Sequence, residues 1–291
     1  MTAAIRPRRS VLYLPTSNER ALEKAKTLPV DALILDLEDA VGTDAKERAR
    51  ELACAAARSG DYGSRELTIR VNGLGTPWHD DDLEAVCAAA PDAVVVPKVA
   101  SADEVRGLVG VMEAAGAPGH TALWAMVETP KAVLDAASIA AASPRLTALV
   151  LGTNDLVKEL RAVPVPGRAP LLTALTHVVL AARAAGIVVL DGVYNDVKDA
   201  EGFAVECRQG LELGFDGKTL IHPGQVDVCN TVFAPSDDDV DRAGRTIAAF
   251  EEAQAQGRAV ATLDGRLIES LHVETAREVV AMHEAITARP A

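Results

Sequence analysis

Short apolar runs alternate along the chain with longer amphipathic, alanine-rich segments. The runs are SVLYLP (10–15), ALILDLED (32–39), LTIRVN (67–72), AVVVPKV (93–99), ALWAMVET (122–129), ALVLGTND (148–155), GIVVLDGVYN (186–195) and FDGKTLIHP (215–223). Each predicts a strand, and stretches such as SNERALEKAKTL, DDDLEAVCAAA, SADEVRGLVGVMEAAG and PLLTALTHVVLAARAAG predict helices between them. Ser101, with Asp103 and Glu104 after it, marks one helix start. Thr76-Pro77 ahead of His79, Asp80 and Asp81 marks another, with proline at a first-turn position.

Eight strand–helix units over about 220 residues is the count for a (β/α)8 TIM barrel. A doubly wound open sheet alternates in the same way. Its dinucleotide-binding form requires GxGxxG after the first strand, where this chain reads LPTSNER. The GKT at 217–219 resembles a fragment of a phosphate-binding loop, but Glu212 stands where that loop needs a glycine. Both nucleotide signatures fail, and the barrel is the expected fold, over residues 1–234. Residues 235–291 form a C-terminal helical extension: a polar helix at 235–257, an extended piece at 258–264, then GRLIESLHVETAREVVAMHEAI as a second amphipathic helix. A barrel has no need of such a tail, so the tail is expected to act as a lid on the active mouth or to dock on another subunit.

Composition narrows the partners. Of 291 residues 49% are apolar, enough for a full core, and no apolar run is long enough to span a bilayer. The basic start, MTAAIRPRRSVLYLP, lacks the long apolar region of a signal peptide. Cys54, Cys87, Cys207 and Cys229 are scattered without metal-ligand spacing, as expected of reduced thiols in a cytoplasmic protein. A formal charge of −13 argues against nucleic-acid binding, and an anionic small ligand would need a local cluster of Lys and Arg.

The chemistry gathers where the strands end. Strand two closes on Asp36 and Glu38, strand three on Arg70 and Asn72, strand four on Lys98 and strand five on Glu128. Strand six closes on Asn154 and Asp155, strand seven on Asp191 and Tyr194, and strand eight on His222. Any one of these alone reads as a helix cap or a salt-bridge partner. Eight such ends at the catalytic face of a barrel read as a site. Glu128 and Asp155 lie one βα unit apart, on strands about 4.8 Å from each other, so the two carboxylates share a proton or a cation. The six histidines are dispersed, which leaves hard oxygen ligands suited to Mg2+ or Mn2+. A glycosidase pair is the competing use, and 3% aromatic content offers few platforms for sugars. Arg70 either pairs with a structural acid or presents its fork to a substrate carboxylate. These parts suit a site that chelates a 2-keto or 2-hydroxy acid.

The segments SVLYLPTSNERALEKA, LILDLEDAV, IRVNGLGTPW, VPKV, VETP, LGTNDL and GFDGKTLIHPGQ, in this order and spacing, resemble the HpcH/HpaI aldolase superfamily over roughly residues 8–285. The branch they resemble is the citrate lyase β-subunit-like proteins, with the malyl-CoA and citramalyl-CoA lyases. The resemblance implies a TIM barrel assembled as a homotrimer or hexamer, with Mg2+ on Glu128 and Asp155. It implies that Arg70 holds the substrate carboxylate, that Asp36 is a conserved acid beside it with Glu38 close by, and that Pro15, Arg20 and Lys24 lie near the CoA. Thr16-Ser17-Asn18 departs from the Gly-x-Arg frequent in the family. LDGRLIES resembles the family's lid motif, with Glu269 in place of the lid aspartate. The activity implied is reversible Claisen-type cleavage of a short 3-hydroxyacyl-CoA, of the malyl, citramalyl or citryl class, to a keto acid and an acyl-CoA. Asp36, or Glu269 from a neighbouring subunit's lid, would be the acid/base group. Alternatives are a malyl-CoA thioesterase, a free-acid class II aldolase and a non-catalytic subunit of a citrate lyase-like complex.

Overall fold

The computed structural model describes residues 5–289. Eight strands form the frame: β1 (Ser10–Pro15), β2 (Ala32–Asp36), β3 (Glu66–Arg70), β4 (Ala93–Val96), β5 (Ala122–Val127), β6 (Leu146–Leu151), β7 (Val188–Asp191) and β8 (Gly217–Leu220). They pair in chain order, all parallel, and β8 returns to β1 to close the barrel. This is the expected (β/α)8 TIM barrel, and closure leaves no strand at an edge, as an open sheet would.

Side chains alternate along each strand, and the inward set builds the core. Val11, Ile34, Val95, Trp124, Met126 and Val150 pack together in the barrel interior, with Tyr13 against them. The floor is polar but paired. Arg8 binds Glu66 through two hydrogen bonds and lays its guanidinium 5.5 Å from the ring centre of the fully buried Trp124. Moving up the same alternation, Ile34 leads to Asp36, Thr68 to Arg70, Met126 to Glu128, and Val150 to Gly152. The layer above the apolar core is therefore ionic at three of these positions and empty at the fourth.

The strands are shorter than the apolar runs that predict them. β2 stops at Asp36, so Glu38 stands in the following turn, and β6 stops at Leu151, so Asp155 falls in the first turn of helix Thr153–Glu159. Ladder pairing ends at the barrel rim, while the sequence run continues into the loop. The GKT segment is β8 itself, and its Lys218 is a fully buried barrel residue. Ser101 caps helix Ala102–Ala114 by accepting from the Glu104 N–H, as expected. The helix near Thr76 begins only at His79, because the Thr76 N–H first closes a turn on the Gly73 carbonyl. Pro77 therefore precedes that helix and is not in its first turn.

The described chain divides into two compact units, one of Arg8–Asn230 and another of residues 5–7 with 231–289. In the second unit, Ser236 caps helix Asp237–Ala255. A two-stranded antiparallel hairpin, β9 (Ala261–Leu263) and β10 (Arg266–Ile268), leads into helix Ser270–Thr287. Phe250, Ala253, Ala261, Ile268 and Val273 form this unit's own core. The expected single helix over GRLIESLHVETAREVVAMHEAI is thus a strand followed by a helix. The cause is the Asp264-Gly265 turn, with φ of 51° and 76°, which suits a two-residue hairpin. The Asp264 carboxylate also accepts from Arg245 at 2.7 and 2.6 Å. Among the described residues no helix is long and apolar enough to cross a membrane.

Candidate functional site

The mouth of the barrel is organised around Arg70. Its Nε donates to Asp36 Oδ1 at 2.6 Å and its Nη2 to Asp36 Oδ2 at 2.7 Å, a bidentate fork between adjacent strands paired in register. Asp36 also accepts from the Glu38 and Ala40 N–H groups, at 2.9 and 3.0 Å. With four donors on its two oxygens, this carboxylate holds both the arginine and the turn after β2. Beneath, the Tyr13 ring centre lies 4.8 Å from the guanidinium carbon, a cation–π stack, and burial pushes the Tyr13 phenol up. On its remaining edge Arg70 meets Glu38, whose Oε2 is 2.8 Å from Nη1. Burial pulls the Arg70 pKa down, but Asp36 and Glu38 outweigh it, so the group is held charged.

Glu128 faces this cluster from the end of β5. Its Oε1 accepts from the Lys98 backbone N–H at 2.8 Å, and its side chain lies across Gly152, where a Cβ would collide with it. Lys98 presents that N–H from a left-handed backbone, φ 55°, uncommon for a residue with a Cβ. Burial, then the charges of Glu38 and Asp155, push the Glu128 carboxyl up to about 7, against the Lys98 N–H and Arg70. Burial pushes Glu38 up as well, with Arg70 opposing it. Asp155 is half-buried in the first turn of its helix. The charges of Glu38 and Asp155 thus both act on Glu128, and Lys98 feels all three.

The remaining expected residues divide. Pro15 ends β1 on the same rim, while Arg20 and Lys24 are exposed on helix Glu19–Ala25, which is capped by Asn18. Glu269, in the second unit, is exposed at the start of helix Ser270–Thr287, and its N–H donates to His272 Nδ1. Four other strand-end residues serve the scaffold. Asn72 bridges Lys46 and Asp82; Tyr194 donates to Asp199; His222 accepts from the Gly224 N–H. Asp191 is buried between Arg168 and Lys218, at 2.7 and 2.9 Å. Sequence reasoning did not single out Tyr13 or Gly152. The signal was there in the alternation, since both fall on inward positions of strands whose other inward residues were already placed.

No group of three or more His, Cys, Asp or Glu that could hold a metal occurs among the described residues. Two carboxylates suit an ion that keeps most of its shell for water and substrate oxygens, which is the habit of Mg2+. The donor set fits in charge too: Glu128 is pushed up by burial and then by neighbouring acids, and a divalent cation would offset both.

Comparison with known proteins agrees with the barrel fold. The family model for HpcH/HpaI aldolase/citrate lyase matches residues 9–223. A protein of Cereibacter sphaeroides named (3S)-malyl-CoA thioesterase is 49% identical over 97% of this chain and 96% of its own. The citrate lyase subunit beta of Escherichia coli is 37% identical over 96% of this chain and 94% of its own. The crystal structure of CitE from Mycobacterium tuberculosis, in complex with magnesium, acetoacetate and coenzyme A, covers 97% of this chain and 99% of its own. It superposes with a TM-score of 0.78 at 28% identity. The barrel, its carboxylate mouth and these likenesses lead to one assignment: the chain belongs to the HpcH/HpaI aldolase/citrate lyase family.

Proposed function

We propose that this chain hydrolyses the CoA thioester of a short 3-hydroxy acid of the malyl class, with magnesium on Glu128 and Asp155. The observation that carries the reading is the 49% identity, along nearly the whole chain, to a malyl-CoA thioesterase. A neighbour crystallised with magnesium, acetoacetate and coenzyme A supports the same ligand classes.

In this reading each residue has a task. Arg70, oriented by Asp36 and backed by Tyr13, receives the substrate's free carboxylate on the edge that Glu38 occupies in this structure. Glu128 and Asp155 hold the ion, and the Lys98 N–H and Gly152 fix the direction of Glu128. When bound, magnesium would polarise the substrate oxygens and offset the negative charge that builds on them. Asp36 has all its acceptor positions engaged, which favours an orienting role for it. Glu269 from a neighbouring subunit's lid, exposed in its own unit, is then the candidate to take the proton from the attacking water. The bond between the thioester carbon and sulfur breaks, water oxygen takes the carbon, and the sulfur leaves as free thiol.

A second reading, reversible carbon–carbon cleavage to a keto acid and an acyl-CoA, is favoured by the likeness to citrate lyase subunit beta. The two differ in products. With malyl-, citramalyl- and citryl-CoA as substrates, hydrolysis releases one thiol per turnover and no keto acid; cleavage releases a keto acid and no thiol. The expected result is thiol release that stops in EDTA. Keto acid without thiol would move the assignment to the lyase. Activity on free 4-hydroxy-2-keto acids alone would make it a free-acid aldolase. A purified chain inert to all of these would fit a non-catalytic subunit.

A further inference from the structure

We infer that Lys98 is a positioning residue, which draws Glu38 off Arg70 so that the guanidinium can accept a substrate carboxylate. The inference rests on the reading of Arg70 given above. In this structure that arginine has no spare edge. Asp36 takes Nε and Nη2, and Glu38 Oε2 stands 2.8 Å from Nη1, where a substrate carboxylate must bind. Two carboxylates on one guanidinium edge repel each other, so binding requires Glu38 to leave.

A displaced Glu38 is still mostly buried and needs another cation. Lys46 is close but committed: its ammonium donates to the Leu37 and Glu38 carbonyls and to Asn72 Oδ1, each at 2.7 Å. Lys98 is different. Its Nζ already lies 3.4 Å from Glu38 Oε1, its side chain is 48% exposed, and Glu38 is its shortest ion-pair contact. The left-handed backbone at Lys98 starts the side chain from the same point that fixes Glu128, tying its reach to the site. Glu38 therefore bridges two cations, and a short rotation shifts it from one to the other.

The test is a double-mutant cycle read by binding. Pyruvate, a short keto-acid carboxylate, is titrated calorimetrically into the full chain at saturating magnesium. Lys98→Met should weaken pyruvate binding by about tenfold, because Glu38 stays locked on Arg70. Lys98→Arg should restore it, and Glu38→Gln should bind at least as tightly as the unaltered chain. The decisive variant is Lys98→Met with Glu38→Gln, expected to equal Glu38→Gln alone. If Lys98→Met costs the same tenfold in the Glu38→Gln background, Lys98 touches the ligand directly and the proposal falls. It falls too if Lys98→Met changes nothing while the unaltered chain binds. An unaltered chain that binds no pyruvate at saturating magnesium overturns the carboxylate role of Arg70, and this inference with it. Lys98 is half exposed, so its replacement leaves the packing of the barrel intact.

Discussion

Gly152 is glycine because Glu128 occupies the space a Cβ would need. Gly152→Ala should push Glu128 off the Lys98 N–H and lower turnover by roughly 100-fold, since small displacements at a reacting centre act on the rate at that scale. Magnesium affinity should fall with it, measured by calorimetry; an unchanged affinity would remove Glu128 from the ligand set. The sequence shows Gly152 at a strand end but not that a neighbouring carboxylate leans across it, and contacts between strands are what a linear reading lacks. The same gap explains Asp191, which reads as one more acid at the mouth. It is fully buried beside Lys218 and Arg168. Burial raises the Asp191 carboxyl, but the two cations outweigh it and hold it below the usual 3.8. Asp191→Asn leaves those cations short of a counter-charge and should destabilise the fold by about 3–5 kcal/mol, read from denaturant unfolding. Because the folded-state value is depressed, the stabilisation is complete above pH 3.8 and is lost as pH falls through the lower folded value. The variant's deficit should therefore shrink in acid, and a deficit constant down to pH 2 would contradict the pairing.

Among the elements, the strands are legible as apolar runs because each faces the barrel on one side and helices on the other. Their ends are less so. Ladder pairing stops at the rim, and polar residues such as Glu38 and Asp155 continue a run after the strand has finished. The tail shows the opposite failure. An amphipathic period runs through GRLIES, yet Asp264 and Gly265 turn the chain back and Ile268 fills the small core as a strand residue. Gly265 at φ 76° tolerates a side chain poorly, so Gly265→Ala should weaken this hairpin by roughly 1 kcal/mol. Amide exchange over 261–268 should quicken while the barrel strands keep their protection. Faster exchange in the barrel strands would mean that the two units unfold together.

At the scale of the whole molecule, a chain of formal charge −13 places several of its acids at one barrel mouth, and burial there makes their repulsion harder to screen. The fold holds this arrangement with Arg70, Lys98 and Lys46, whose contacts are mostly with the acids and carbonyls of that rim. A divalent ion bound to the folded mouth, and not to the unfolded chain, adds stability by mass action. At 100 times its dissociation constant the gain is about 2.7 kcal/mol. For a chain of this size that corresponds to a rise in Tm on the order of 5 °C. Thermal unfolding in magnesium and in EDTA should differ by that amount. Glu128→Gln should abolish the difference, and Asp191→Asn, though less stable throughout, should keep it, because its acid lies in the scaffold. A magnesium effect that survives Glu128→Gln and Asp155→Asn together would place the ion elsewhere, and the catalytic reading of the mouth would have to be rebuilt without it.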